Sequence, residues 1–200
     1  THTSTRGVSL GMKSAHADPP SIMGSGNFDL QYNSDFGTQF QILNTNKVKM
    51  ARINAYPGDY WNGSAPVTST TMDNTILQAH SYGITPTIHF SYYAFYLTSY
   101  NLQLGSSSKW YNIGRTYALR YAPNSSWLQS KGISNWGVTT YIAFNEPDLP
   151  QWWTNTSANG VPAGTSMPIH SGSPYTSQFG GNYHDALEGF SNGVKSVSTS

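Results

Sequence analysis

Apolar residues gather in four short runs, Val8 to Lys13, Val48 to Asn54, Ile84 to Phe90 and Thr139 to Phe144, each of strand length. Between them the period changes. Phe36, Phe40 and Leu43 fall on one helical face within Asp35 to Leu43, and Met72, Ile76 and Ala79 do the same within Thr70 to Tyr82. Gly83 then supplies a helix stop. Trp110, Ile113, Tyr117 and Tyr121 predict a third helix closed by Pro123, and Tyr183, Leu187, Phe190, Val194 and Val197 a fourth.

Strand followed by helix, repeated along the chain, is the pattern of parallel βα units joined by right-handed crossovers, so the predicted fold class is α/β. Long connections follow the second, third and fourth strands: Ala55 to Ser69, Ser91 to Ser108 and Asn145 to Gly180. Connections beyond about 12 to 15 residues in a compact domain usually carry function. All three leave the C-terminal ends of strands, the side on which parallel sheets and barrels bind ligands. The stretch GSGNF, Gly24 to Phe28, reads as a short glycine loop, and no dinucleotide or Walker fingerprint follows any strand.

Composition narrows the partners. Charged residues make up only 10% of the 200 residues and the formal net charge is +1, which gives no electrostatic footprint for nucleic acid or an anionic membrane surface. Ser, Thr, Asn and Gly take the place of charge, beside 14% aromatics. That mixture suits neutral, hydroxyl-rich ligands such as sugars, because rings stack on pyranose faces and amides bond hydroxyls. Cysteine is absent, so disulfides and thiolate metal sites are excluded. The histidines show no metal-ligand spacing, and neither a metal nor another cofactor is expected. No apolar run approaches a membrane span. The start at Thr1 reads as the processed end of a secreted protein. Asn62, Asn124 and Asn155 head glycosylation triplets, which an Asn- and Ser-rich chain also produces by composition alone.

The candidate chemistry lies in YIAFNEPD, Tyr141 to Asp148, which places Glu146 just past the fourth strand. A carboxyl there, shielded by aromatics, can have a raised pKa and protonate a leaving group. A Glu capping the following turn would look the same. Asn145 offers an amide to a substrate hydroxyl, and Pro147 stiffens the strand exit. Aromatics crowd the same lip: Tyr56, Tyr60 and Trp61, then Tyr92 and Tyr93, then Trp152 and Trp153. They read either as walls of sugar subsites or as the private cores of long loops.

In this context Asn145-Glu146-Pro147 resembles the strand-four motif of the retaining glycoside hydrolases of the (β/α)8-barrel superfamily called clan A, in which that Glu is the general acid/base. KMARINAYP, with Arg52 in the second strand, and TIHFSYY, with His89 near the end of the third, agree with it. YALRYAPNSSW leading to YIAFNEPD is similar to the corresponding passage of xylosidase-like families, with Phe144 where Trp is commoner. The resemblance implies that residues 1–200 form about half of a (β/α)8 TIM barrel, with strands and helices one to four. It also implies an oligo- or polysaccharide substrate, Glu146 as acid/base, and Asn145, Arg52, His89, Tyr56, Trp61, Tyr92, Tyr93, Trp152 and Trp153 as substrate-binding residues. From the residues alone, Arg52 reads equally as an interior ion-pair partner and His89 as a satisfied core histidine.

Retaining hydrolysis needs a second carboxyl about 5 to 5.5 Å from the first. The other glutamate, Glu188, falls in the middle of the fourth helix, on the outer ring of a barrel. The nucleophile and the rest of the barrel are therefore expected from further sequence or from another chain. The competing expectations are an inactive carbohydrate-binding or extracellular structural protein on the same scaffold, and an open-sheet α/β protein of other function.

Overall fold

The computed structural model of the protein describes residues 24–30, 35–91, 100–102, 105–144 and 180–198. In chain order the elements are β1 (Gly24–Asp29), α1 (Gly37–Thr45), β2 (Met50–Ala55), α2 (Thr70–Ser81), β3 (Thr85–Phe90), α3 (Ser107–Tyr121), α4 (Ser126–Ser130), β4 (Thr140–Ala143) and α5 (Gly180–Ser198). The chain is thus an α/β protein. Its four-stranded sheet has the order β1-β2-β3-β4 and every pairing is parallel. When strand order follows chain order without reversal, right-handed crossovers place the connecting helices on one face.

Two readings of the sequence change at the N-terminal edge. The run Val8 to Lys13 lies outside the described residues. The strand that pairs with β2 is instead GSGNFD, the stretch read as a glycine loop. Its only large apolar residue, Phe28, stacks on Phe40 of α1 at 4.7 Å, and the register with β2 shifts between Ser25 and Phe28. Partner strand and helix decide this strand; alternation within it does not.

Alternation along β2 and β3 gives the sheet two unlike faces. Register places Phe28, Ile53, Ile88 and Tyr141 in one row, and Ala55, Phe90 and Ala143 in the next on the same side. That side is apolar and carries helices: Phe90 meets Tyr117 of α3 at 4.8 Å and Phe190 of α5 at 4.7 Å. Met72, Ile76 and Ala79 of α2 join the same core. The other side carries Arg52, Thr87 and Thr140 in one row and Asn54, His89 and Ile142 in the next.

Local chemistry sets the ends of α2. Ser69 is its N-cap, accepting the Met72 amide at 3.1 Å. At the other end Gly83, at φ +66°, lets the Gly83 and Ile84 amides donate to the His80 and Ala79 carbonyls, a Schellman closure that seats buried Ile84 at the start of β3. One cluster then ties α2 to α3. Asp73 accepts from Arg120 Nε at 2.7 Å, from Arg120 Nη2 at 2.5 Å and from the Tyr121 hydroxyl at 2.7 Å. Arg120 also lies over the Trp127 ring of α4 at 4.6 Å. Removing the shared acceptor leaves partly buried donors without it, so Asp73→Ala is expected to cost about 2 to 3 kcal/mol. A urea unfolding midpoint unchanged from wild type would contradict that role.

Three glycines bring α3 and α5 together. A Cβ on Gly193 would fall on the Tyr111 carbonyl oxygen, one on Gly189 on that of Ser107, and one on Gly114 on that of Phe190. Glycine in a helix interior costs up to about 1 kcal/mol relative to alanine, so these positions hold it for the approach. The obstacle is backbone in each case and does not yield as a side chain would. Overpacking of about 1 to 3 kcal/mol or more outweighs the propensity gain. Gly193→Ala is expected to lower stability by about 2 kcal/mol, seen as a Tm drop of about 4 to 8 °C.

Candidate functional site on the polar face

Strands β2 and β3 bring together two residues of the expected site, Arg52 and His89, on one face of the sheet. Arg52 and Asn54 project from β2 to the polar face, and His89 from β3 lies in register with Asn54. Asn54 is 7% exposed and His89 2%, and His89 Nδ1 meets Asn54 Oδ1 at 2.9 Å. Burial, reinforced by the positive charge of Arg52, pushes the His89 pKa from 6.5 down to about 4. The ring is therefore neutral near neutral pH. Its second nitrogen, Nε2, is buried and has no hydrogen-bond partner among the described residues. A buried polar atom left so costs about 1 to 3 kcal/mol, a cost that a bound ligand donor can remove.

The connection from β2 to α2 is built on Asp59. Its Oδ2 accepts the Tyr56 amide at 3.1 Å, its Oδ1 accepts the Ser69 hydroxyl at 2.9 Å, and its carbonyl accepts the Tyr117 hydroxyl at 2.9 Å. Burial is the first cause that raises the Tyr117 pKa, and the neighbouring acids and phenols add to it, so this hydroxyl stays a donor. Tyr60 is fully buried and donates to the Ser91 carbonyl at 3.1 Å, locking the loop to the end of β3.

These contacts give the expected aromatic wall a different character. Trp61 is 3% exposed, donates its indole N–H to the Tyr100 carbonyl at 3.0 Å and has Lys109 5.6 Å from its ring centre. Tyr56 is 8% exposed. Both side chains are packed into the loop, which leaves little ring face for a sugar.

At the exit of β4, Phe144 has φ +65°. Bulky side chains seldom adopt this left-handed backbone, which costs on the order of 1 to 3 kcal/mol and persists where surrounding packing enforces it. Packing is tight: Phe144 is buried, its ring meets Trp110 edge-on at 4.7 Å, and its amide donates to the Phe90 carbonyl at 3.2 Å. The strain falls on the residue before Asn145-Glu146. Asn145, Glu146, Tyr92, Tyr93, Trp152 and Trp153 lie outside the described residues.

Sequence reasoning passed over Asn54. The signal was the two-residue spacing from Arg52 in an otherwise apolar strand, which puts both polar side chains on one face. Glu188 is exposed on α5, a helix packed on the apolar face, so it does not share the face of His89. His184, Asp185 and Glu188 place ligand atoms within 4.8 Å of one another, the one such group among the described residues. All three belong to one helix, with His184 and Glu188 exposed and Asp185 half-buried, and exposed groups of this kind are common without a metal. No described helix is long and apolar enough to cross a membrane. Comparison with protein-family models finds no match, and comparison with curated proteins finds none either.

Proposed function

We propose that the chain supplies the acid/base half of a retaining β-glycosidase, secreted, built on a (β/α)8 barrel of which β1 to β4 and their helices form one half. The observation that carries this reading is the polar face itself. A parallel sheet normally buries apolar residues on both sides, yet here Arg52, Asn54, Thr87 and His89 share a side with their most enclosed members toward the C-terminal ends. Barrel enzymes place their chemistry at that position. The strained Phe144 follows β4, and the residues after it in sequence, Asn145-Glu146-Pro147, are the ones that the resemblance makes the source of the acid/base carboxyl.

The roles follow from chemistry. Glu146 protonates the glycosidic oxygen as the bond breaks, and then takes a proton from the water that releases the glycosyl intermediate. Asn145 holds a hydroxyl of the sugar at the cleavage point, and Arg52 and His89 shape the floor. The second carboxylate comes from further βα units, in sequence beyond these residues or in a second chain. Support for completion lies at β4, which pairs only with β3 among the described residues. Beside it a groove of about 420 Å³, lined by Thr139, Tyr141, Ala143, Leu187, Phe190 and Val194, runs between β4 and α5. A fifth strand and its helix would cover that edge, as parallel sheets require.

The anomeric configuration of the first-formed product tests this reading. Proton NMR of the assembled protein acting on β-linked xylo- and gluco-oligosaccharides is expected to show the β-anomer before mutarotation. An α-anomer as the first product, or no cleavage of either series, would overturn it. The second reading, a binding protein on the same scaffold, is favoured if oligosaccharides bind without being cleaved.

A further inference from the structure

We infer that Asn54 is a positioning residue: by accepting the Nδ1–H of His89 it holds that ring as the tautomer whose bare Nε2 accepts a hydrogen bond from a hydroxyl of a neutral ligand on the polar face. The inference rests on the glycosidase reading for the kind of hydroxyl, and on geometry for the rest. The partner atom 2.9 Å from Nδ1 is the amide oxygen of Asn54, which can only accept, so Nδ1 carries the proton. A neutral imidazole has one N–H, which leaves Nε2 with a lone pair and no proton. That atom is buried, lacks a partner among the described residues and sits toward the C-terminal end of β3. An unprotonated nitrogen in this place discriminates by chemistry. It rewards an O–H that can donate, and offers nothing to a carboxylate or phosphate oxygen that has no proton to give.

Such a partnership is not visible in either residue alone. Left to itself in water, neutral imidazole carries its proton mostly on Nε2, which would turn the same nitrogen into a donor. Asn54 reverses that preference by fixing the proton on the other side of the ring. Strand register makes the pair rigid, since the two residues are direct neighbours on adjacent strands.

The test is a long-range proton–nitrogen NMR spectrum of the 15N-labelled full chain near neutral pH, with xylobiose and cellobiose as probes and acetate, an anion with no hydroxyl to donate, as the comparison. In the free protein His89 is expected to show a protonated Nδ1 and an unprotonated Nε2. Either disaccharide should move the Nε2 resonance in the direction of hydrogen-bond acceptance and leave Nδ1 in place, while acetate should not move Nε2. In Asn54→Ala the proton is expected to appear on Nε2, with disaccharide affinity reduced roughly tenfold. A protonated Nε2 in the wild-type protein overturns the positioning role of Asn54, whatever the sugars do. The expected tautomer with no response to either disaccharide leaves that role standing and overturns the hydroxyl ligand at Nε2, while the glycosidase reading stands or falls separately on the anomer of the first product.

Discussion

If Glu146 is the acid/base proposed above, replacing it by Gln is expected to lower turnover of unactivated β-linked oligosaccharides by roughly two to four orders of magnitude, the usual contribution of general acid–base catalysis. The amide keeps the size and much of the hydrogen bonding of the carboxyl but has no proton to release to the departing oxygen. Aryl glycosides with acidic phenols need little help in leaving, so their first bond cleavage should slow far less. The deglycosylation step, which needs a base, should still suffer, and the glycosyl intermediate should accumulate. Steady-state kinetics on a matched pair of oligosaccharide and nitrophenyl substrates measures the split. Equal losses on both substrates would point to a misfolded or displaced site, and no loss on either would remove Glu146 from the mechanism.

Acid is expected to destabilise the fold through His89, by on the order of 3 kcal/mol between pH 6.5 and about 4. The folded chain holds the ring neutral down to about pH 4, because protonation would put a charge in a buried site beside Arg52. Once unfolded, the ring takes up a proton near 6.5. The unfolded state therefore binds more protons throughout the window, and stability falls as pH is lowered across it. Above that window the contribution is fully present. Urea unfolding from pH 7.5 to 4 should show the slope, and His89→Gln should flatten it. Asp35 acts in a separate, more acidic range. The Gly37 amide and the Gln78 side chain hold its carboxyl below its usual 3.8, so its stabilisation is lost only as pH falls through that lowered value. A slope that persists unchanged in His89→Gln would place the titration elsewhere.

Much of this fold was legible in the sequence where a residue's own chemistry decides the structure. Gly83 closes α2 because a glycine accepts φ +66°. The short apolar runs of β2 and β3 read as strands by their length, and their residues are enclosed toward the C-terminal ends. Legibility fails where a neighbour decides. GSGNFD has one ring in six residues and becomes β1 only through pairing with β2 and stacking on Phe40. Gly114, Gly189 and Gly193 look like weak points in helical patterns until α3 and α5 are seen to touch there. The five residues of α4 were not anticipated, since so short a helix shows no period and rests on the Ser125 cap.

The candidate site divides in the same way. Arg52 and His89 stood out as polar residues in apolar strands, and the polar face brings them together. Asn54 did not stand out, because its meaning lies in the residue opposite it on the next strand. Trp61 was the reverse case: an aromatic after a strand end suggests a sugar platform, and its indole hydrogen bond and burial show a loop anchor.

The most direct measurement of the central claim is the product formed when Glu146→Ala, in the assembled protein, cleaves a nitrophenyl β-glycoside in the presence of azide. Without the carboxylate no base activates water, and azide, which needs none, should restore turnover and emerge as the β-glycosyl azide with retained configuration. A variant that hydrolyses oligosaccharides at the wild-type rate, with no azide adduct, would contradict the assignment of Glu146 and the function built on it.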